Sequence, residues 1–392
     1  LGPHAFDEIG GEVVQCATFT IAKHKPSSNG GICYRLVDGR NSSEKEHAFL
    51  RRENGFYGIN QSNFEKIPGS PIGYWISESV IDAYSNSILS DSALFKRGIG
   101  TGNNNRFLRL WFEISYDKFS EKKWTKYNKG GSYRKWYGNR EYVVDWENDG
   151  YEIKNNFSAD GKLSSRPQNL QYNYLKNISY SSLTSKKLSF RCYEGFINDQ
   201  AGNFFIVKKD YDYVNILALL NSPIGNYFKS IKNNTFNITA EDLLSIPVIK
   251  LNNKLIEEEV SEAISISQED WDAHETSWDF QNNEIVSLDS EQKYIDTISA
   301  IYKGTGILVD LAAPQLDSLS WRVELYKQKW DGMFHRLHAN EEELNRQFIE
   351  IYGLQDELTP DVPLDEVTIL QKGEISIEDG KIVWQEDVII KQ

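Results

Sequence analysis

The pattern of apolar and polar residues predicts short strands and helices at the start of the chain. Residues 13–21 and 32–37 are apolar enough to predict two neighbouring strands, joined by the polar, glycine-rich loop 25–31. Residues 43–53 and 77–84 predict short helices. Two strands cannot bury an apolar face alone, so we expect this pair to need a sheet that the chain does not supply.

From about residue 98 the pattern predicts a strand-rich region that ends in a helix. Apolar or alternating residues predict strands at positions 107–114, 141–146, 188–193, 196–197 and 204–207. The repeat then becomes helical, with Val214, Leu217 and Ile224 on one stripe and Asp212 as the N-cap. A short helix at 239–244 follows.

Beyond residue 251 the pattern is mostly helical. Apolar stripes predict helices over residues 287–302 and 317–338. Asn340 and Glu343 form a capping box that would open one more helix. The alternating residues 366–390 predict a small β-hairpin. The whole chain therefore reads as α+β, and its 392 residues are enough for two or three domains.

Composition narrows the class of protein. Hydrophobic residues make up 40% and charged residues 26% of the chain, which is normal for a globular protein. We find no apolar run long enough to cross a membrane and no signal peptide, so we expect no membrane partner. Cys16, Cys33 and Cys192 are far apart and lack the spacing of a metal site. We therefore expect a cytoplasmic location, without disulfides or bound metal.

The net charge of −14 is distributed unevenly along the chain. Residues 96–140 carry 12 basic and 3 acidic side chains, a net charge of +9. Residues 251–392 carry 11 basic and 31 acidic side chains, a net charge of −20. A local positive field favours a polyanion such as DNA, whatever the charge of the whole chain. The alternative is that the basic segment pairs with the acidic C-terminal third of the same chain.

Two segments in or near the basic region and one later loop have the chemistry to bind double-stranded DNA. Arginine can bond guanine and asparagine can bond adenine in the major groove, while cations neutralise phosphates and aromatic rings stack on bases. The first segment contributes Lys96, Arg97, Thr101, Asn103, Asn104, Asn105 and Arg106. The second contributes Lys126, Lys129, Arg134, Lys135, Trp136, Tyr137, Asn139 and Arg140. The later loop contributes Arg166, Gln168 and Asn169. The alternatives are a place in the core or carbohydrate stacking for the rings, and a loop-forming role for the asparagines.

The sequence predicts no catalytic, cofactor-binding or metal-binding residue in this chain. Adjacent prolines do not occur, so the Asn-Pro-Pro-Tyr motif of amino-methyltransferases is absent. The glycine-rich residues 98–102 resemble a nucleotide loop only superficially, because asparagines and a predicted strand follow them. Asp145, Glu147 and Asp149 stand beside residues that favour turns, such as Gly150, and we interpret them as part of a turn.

Several segments resemble the C-terminal half of the PglX family, the adenine-specific DNA methyltransferases of BREX phage-defence systems. They are residues 6–15, 100–107, 129–138, 146–150 and 341–363. This family is similar in layout to type IIG restriction–modification enzymes. Residues 216–222 also resemble the end of target-recognition domains in TaqI-like methylases and type I specificity subunits.

The resemblance implies a division of the chain and a role for it. Residues 1–48 would be the last strands of a truncated methyltransferase sheet, 49–250 a mixed α/β DNA target-recognition domain, and 251–392 an acidic helical domain with a small hairpin. The implied role is DNA target recognition within an N6-adenine-specific methyltransferase. Its cofactor, S-adenosylmethionine, and its catalytic motif would belong to a missing N-terminal domain. The alternative is a protein-interaction module that docks defence-system partners, and phage inhibitors are further candidate partners.

We expect this chain alone to be catalytically silent. It lacks the motifs that methyl transfer needs, so it should neither bind S-adenosylmethionine tightly nor methylate DNA. Isothermal titration calorimetry with the cofactor tests this expectation, and micromolar binding by the chain would contradict it.

Overall fold

The computed structural model describes residues 1–6, 16–21, 23, 30–181, 188–232, 239–287 and 319–385. The chain forms two compact units, Leu1–Asn86 and Ser87–Gln392. Helices and small sheets are intermixed along the chain, so the expected α+β class is confirmed. Among the described residues, none of the helices has the length and apolar character needed to cross a membrane. The predicted domain boundaries at residues 48 and 250 stay predictions.

The first unit contains a two-stranded sheet and two short α-helices that the sequence locates well. Its elements are β1 Gly31–Tyr34, α1 Ser42–Leu50, β2 Gly55–Ile59, a 3-10 helix Gln61–Lys66 and α2 Glu78–Ala83. Asn41 caps α1 by accepting a hydrogen bond from the Glu44 amide at 2.9 Å, and Ser77 caps α2. The two predicted helices are confirmed because their starts are set by local capping.

The predicted pairing of strands at the start of the chain is wrong in the described residues. β1 pairs antiparallel with β2, a strand that the pattern did not predict. Of residues 16–21, only Cys16 forms a bridge, with Gly2, while Phe19 and Ile21 are 77% and 81% exposed. Within the described residues, the predicted first strand is therefore not part of the β1-β2 sheet. Residues 13–15 of that prediction lie outside the described residues.

The second unit contains two four-stranded sheets and two smaller pairs of strands. Its strands are β3 Ser87–Ile88, β4 Ala93–Lys96, β5 Leu108–Leu110, β6 Trp124–Asn128, β7 Tyr142–Asp145, β8 Asn177–Ser181, β9 Phe190–Tyr193, β10 Ile197–Asn198, β11 Gly202–Val207, β12 Pro247–Val248, β13 Ile375–Glu378 and β14 Lys381–Trp384. One large sheet has the order β10-β6-β7-β5 and the other β4-β11-β8-β9. β12 pairs with β3, and β13 with β14, both antiparallel.

The helices of this unit lie between the strands and dominate its C-terminal part. They are α3 Leu89–Ser92, α4 Asn104–Phe107, α5 Tyr116–Ser120, α6 Glu147–Lys154, α7 Tyr213–Asn221, α8 Pro223–Lys232, α9 Ala240–Leu244, α10 Lys254–Asp272, α11 Glu284–Ser287 and α12 Leu319–Ile351. Shorter 3-10 turns occur at Trp111–Glu113, Leu170–Tyr172 and Leu364–Glu366. α10 packs against both α12 and α7.

Most sequence-predicted elements of this unit are confirmed. β7 and β9 fall inside the predicted strands, and β10 and β11 overlap theirs. Asp212 caps α7 by accepting from the Val214 amide at 2.7 Å. The strand predicted over 107–114 is shorter, because Trp111–Glu113 turns into a 3-10 helix. β6 and β8 were not predicted.

The C-terminal helices differ from the expectation at one point. α12 runs without a break through residue 340, so the predicted helix start there is wrong. Asn340 lies in mid-helix, and its side-chain amide donates to Glu262 of α10 at 2.7 Å. The hairpin of β13 and β14 is confirmed, with Asp379 and Gly380 at positive φ in its turn. The helix predicted over 287–302 lies, beyond residue 287, outside the described residues.

An aromatic and aliphatic core lies beneath the β10-β6-β7-β5 sheet. It is formed by Ile99, Phe107, Leu108, Tyr127, Val144, Trp146, Ile153 and Ile197. Ile99 and Phe107 come from the glycine- and asparagine-rich segment, and both are at most 1% exposed. This loop is therefore anchored in the core at both ends.

A buried imidazole links α10 to the strand pair β13 and β14. Both ring nitrogens of His274 have acceptors: Nδ1 lies 2.7 Å from the Asp270 carbonyl and Nε2 lies 2.6 Å from Glu374 Oε1. Burial lowers the pKa of His274, but the hydrogen bond to Glu374 and the charges of Asp270 and Glu374 outweigh burial and the nearby Lys372 cation. The pKa of His274 therefore lies above its ordinary value of 6.5.

This raised pKa predicts a pH dependence of stability. The contribution of His274 to the free energy of unfolding should be complete below its unfolded-state pKa of about 6.5. This contribution should be lost as pH rises through the folded-state pKa. Urea unfolding measured at a series of pH values should show this loss, and His274→Gln should abolish it. His335→Gln, at an exposed histidine, is the control. An identical pH dependence in wild type and His274→Gln would contradict the assignment.

Candidate nucleic-acid interface

Two of the predicted DNA-binding segments are hydrogen-bonded to each other. The Gly100 amide donates to the Arg166 carbonyl at 3.0 Å, and the Arg166 amide donates back to the Gly100 carbonyl at 2.7 Å. On its other side, Ile99 donates to the Asn198 carbonyl at 2.7 Å. We call residues 97–106 and 164–169 the paired loops. Segments about sixty positions apart in sequence therefore form one surface.

The glycines of the first loop allow close packing against the rest of the chain. A Cβ at Gly98 would lie 1.8 Å from the Asn198 carbonyl oxygen. At Gly102, which has a φ of +71°, it would lie 2.6 Å from the Ser164 backbone. These glycines are explained by internal contacts, and the four-residue helix α4 that follows them is too short to hold a phosphate. The loop does not fit a cofactor.

Most amide and hydroxyl side chains of the paired loops hold the loops themselves. The Thr101 hydroxyl donates to Asn104 Oδ1 at 2.6 Å, and Asn103 Oδ1 accepts from the Arg106 amide at 3.1 Å. Gln168 Nε2 donates to the Gly98 carbonyl and Asn169 Nδ2 to the Arg97 carbonyl, both at 2.9 Å. Thr101 is also only 2% exposed. The loop-forming alternative therefore accounts for these side chains.

Three predicted residues of the paired loops remain available to a ligand. The side chains of Arg97, Asn105 and Arg166 are exposed and make no hydrogen bond or ion pair within the described part of the chain. Arg106, in contrast, pairs with Glu152 at 2.5 Å, and Lys96 packs over the Tyr172 ring at 5.1 Å. The two free arginines and the free asparagine have the side chains that bind phosphates and base edges.

A cleft of about 490 Å³ opens beside the first loop. It is lined by Gly100, Thr101, Gly102, Asn103, Asn104, Asn105, Asp199 and Gln200. Asp199 is held by the Tyr127 hydroxyl, which donates at 2.6 Å, and by the Ala201 amide, which donates at 2.7 Å. Burial raises the pKa of the Asp199 carboxyl, although these two bonds and the Lys129 charge oppose the shift.

The sequence analysis missed Asp199 and Gln200. They lie in a turn between β10 and β11 and carry no charge pattern of their own, so only the tertiary pairing with Ile99 brings them to the cleft.

Cations and aromatic rings of the second segment interact with each other. Lys126 lies 5.3 Å from the Trp278 ring centroid, and Lys129 lies 4.4 Å from that of Tyr142. Arg140 lies 3.7 Å from the Tyr137 centroid and donates to the Cys192 carbonyl. Burial lowers the pKa of Lys126. These cations are partly shielded by the protein's own rings, which weakens the expectation that they contact phosphates.

The centre of the second segment is buried, contrary to the expectation. Arg134, Lys135, Trp136, Tyr137 and Asn139 are each at most 6% exposed. Arg134 Nη1 pairs with Asp270 of α10 at 2.8 Å. Lys135 pairs with Glu341 of α12, and the indole N–H of Trp136 donates to the same carboxylate at 2.7 Å. Their assignment to a DNA-facing surface is therefore corrected, because carboxylates of the acidic helices already neutralise both cations.

Asp145 ends β7, and Glu147 and Asp149 lie in or beside the turn that follows, as expected. Asn148, Asp149 and Gly150 all have positive φ, a conformation that asparagine, aspartate and glycine tolerate. Glu147 pairs with Lys123 at 2.9 Å, and Asp149 with Lys154 at 2.6 Å. Within the described residues, no group of three or more histidine, cysteine or acidic side chains is arranged to hold a metal ion.

Comparison with known proteins points to the adenine-specific methyltransferases. The chain is 35% identical over 392 residues to the adenine-specific methyltransferase PglX of Lacticaseibacillus casei (strain Zhang), covering 94% of this chain and 30% of that protein. It is 36% identical over 297 residues to the adenine-specific methyltransferase BrxX of Escherichia coli O9:H4 (strain HS), covering 73% and 24%. The resemblance expected from the sequence is therefore confirmed over most of the chain. The chain spans less than a third of the length of either relative.

Comparisons with family models and with solved structures add little to the similarity with the two methyltransferases. No family model matches the chain. Among solved structures, the type IIL restriction–modification enzyme MmeI in complex with DNA is similar with a TM-score of 0.37 and 12% identity, over 70% of this chain and 34% of that chain. This similarity is too weak to support an argument.

The buried ion pair predicts a structural role for Arg134. Removing one partner leaves the Asp270 carboxylate buried without its counter-ion, so Arg134→Ala should lower the free energy of unfolding by about 3 to 5 kcal/mol. Chemical denaturation measures this change. The exposed pair of Lys162 and Asp160 is the control, and Lys162→Ala should cost less than about 1 kcal/mol. Equal, small effects of both substitutions would contradict the structural role.

Proposed function

We propose that this chain is the DNA target-recognition part of an N6-adenine-specific, S-adenosylmethionine-dependent DNA methyltransferase of a BREX phage-defence system. The similarity to PglX and BrxX supports the methyltransferase class. The observation that carries the recognition role is the set of free side chains on the paired loops. Arg97, Asn105 and Arg166 are exposed on two loops that are hydrogen-bonded to each other, and Asn105 lines the polar cleft.

The chemistry of these side chains suits duplex DNA. Arginine can bind phosphate oxygens or the O6 and N7 atoms of guanine, and asparagine can bind adenine through two hydrogen bonds. The backbone that carries them is fixed by hydrogen bonds between the loops and by the packing of Ile99 in the core. Fixed backbone with free side-chain ends is the arrangement that a sequence reader needs.

Methyl transfer itself belongs to the rest of the enzyme in this proposal. The glycines of the first loop are explained by internal contacts, and the relatives are more than three times longer than the matched region. The target adenine would be turned out of the duplex into that remaining part, where S-adenosylmethionine would supply the methyl group. This chain would hold the flanking duplex in register.

A salt titration of DNA binding tests the recognition role. With a randomised-sequence duplex as the probe, log K for wild type should fall linearly with log salt, because bound phosphates release counterions. Arg97→Ala/Arg166→Ala should weaken binding and reduce this slope by up to about 0.9 for each lost phosphate contact.

The matched control removes two exposed lysines elsewhere in the same unit. Lys254→Ala/Lys381→Ala makes the same change in net charge at side chains on α10 and β14. Equal slopes for the two double variants would place DNA on another surface. A wild-type chain that binds no duplex even at low salt would contradict the proposal and favour a protein-interaction module.

A further inference from the structure

The cleft beside the paired loops differs in chemistry from the surface around it. Its lining contains hydroxyl, amide and carboxylate side chains, and neither lysine nor arginine is among the lining residues. The free cations, Arg97 and Arg166, lie on the loops outside this lining. A phosphate would be repelled by the carboxylate of Asp199. A cleft of this kind therefore suits a neutral group that donates hydrogen bonds.

Two lining side chains have unused capacity to accept a hydrogen bond. Asp199 receives one bond on each carboxylate oxygen, from Tyr127 and Ala201, and each oxygen has a further lone pair. Asn105 makes no side-chain hydrogen bond within the described residues and is exposed. The Asn105 amide offers a carbonyl oxygen that accepts and an NH2 group that donates, whereas the Asp199 carboxylate offers acceptors only.

DNA bases differ in whether they present a donor in the major groove. Adenine presents its N6 amino group and cytosine its N4 amino group, whereas guanine and thymine present acceptor oxygens there. A carboxylate accepts from an amino group and repels a carbonyl oxygen. Asparagine adds a preference for adenine, because its carbonyl oxygen can accept from the N6 amino group while its NH2 group donates to N7.

We infer that this cleft selects a base with an exocyclic amino group, through Asn105 and Asp199, within the target sequence. The inference rests on the proposed recognition function and names the specificity determinant of that surface. The cations around the cleft hold phosphates and set the register, and the polar cleft discriminates between bases. The internal bonds of Thr101, Asn103 and Asn104 keep the cleft in shape.

Selection followed by base-analogue substitution tests this inference. Duplexes selected by the wild-type chain from a randomised pool define the preferred sequence. Each adenine is then replaced by unsubstituted purine and each cytosine by 2-pyrimidinone, which lack the amino group. At one position the replacement should weaken wild-type binding about 5- to 100-fold. The analogue that weakens binding identifies the base as adenine or cytosine.

Variants of the cleft give the second half of the test. Asn105→Ala and Asp199→Asn should lose the discrimination at that position, while their binding to the randomised pool keeps the wild-type salt slope. Asn155→Ala and Asp160→Asn are matched controls at exposed sites and should discriminate as wild type does. Asn105→Ala changes an exposed side chain and leaves the hydrogen bonds of the loop intact. This variant therefore tests the inference even if Asp199→Asn fails to fold.

The outcomes separate this inference from the proposed function. Salt-dependent DNA binding without a position that needs an amino group, or unchanged discrimination in Asn105→Ala, overturns the inference and leaves the recognition role standing. A wild-type chain that binds no duplex overturns both.

Discussion

Two carboxylates from the acidic C-terminal helices bind two cations that are cut off from water. Asp270 of α10 pairs with Arg134, and Glu341 of α12 pairs with Lys135 and accepts from the Trp136 indole. Isolated buried charges are costly, so each partner requires the other in place. Because the partners are more than 130 positions apart, the basic segment and the acidic helices fold as parts of one unit. This pairing explains part of the uneven distribution of charge along the sequence.

This pairing changes which surface the proposed function can assign to a nucleic acid. Formal charge alone assigns the DNA to the most basic stretch, yet its buried cations contribute little field at the surface, and Lys129 and Arg140 lie against aromatic rings. Cations with free ends in the described paired loops are Arg97 and Arg166. The positive surface that the basic stretch offers is therefore smaller than the sequence indicates. In the proposed function, such a surface would contact a small number of phosphates, and binding would depend modestly on salt.

Features set by local contacts were predictable from the sequence, and features set by distant contacts were not. The caps at Asn41, Ser77 and Asp212 start helices where the sequence predicts them. The same local chemistry at Asn340 opens no helix, because its amide instead bonds to Glu262 across the helix pair. The sequence analysis assigned Lys126 to a basic DNA-binding segment and did not predict the strand β6 that contains it. In the structure this lysine lies over the Trp278 ring. A lysine that faces water and one that faces a buried carboxylate have the same pattern in sequence.

Polar side chains of the candidate site fall into two groups: those that stabilise the loops by internal hydrogen bonds, and those that are free to bind a ligand. Gln168 and Asn169 have the amides expected of base readers, but each donates to a backbone carbonyl of the neighbouring loop. Changing such a residue should move the loops and so, in the proposed function, alter DNA binding without any contact to a base. Among the described residues, the Asn105 side chain makes no such internal bond, so its replacement should leave the backbone in place. Loss of specificity in this region is therefore evidence of base contact only for side chains that the loops do not need, and the hydrogen-bond network identifies which those are.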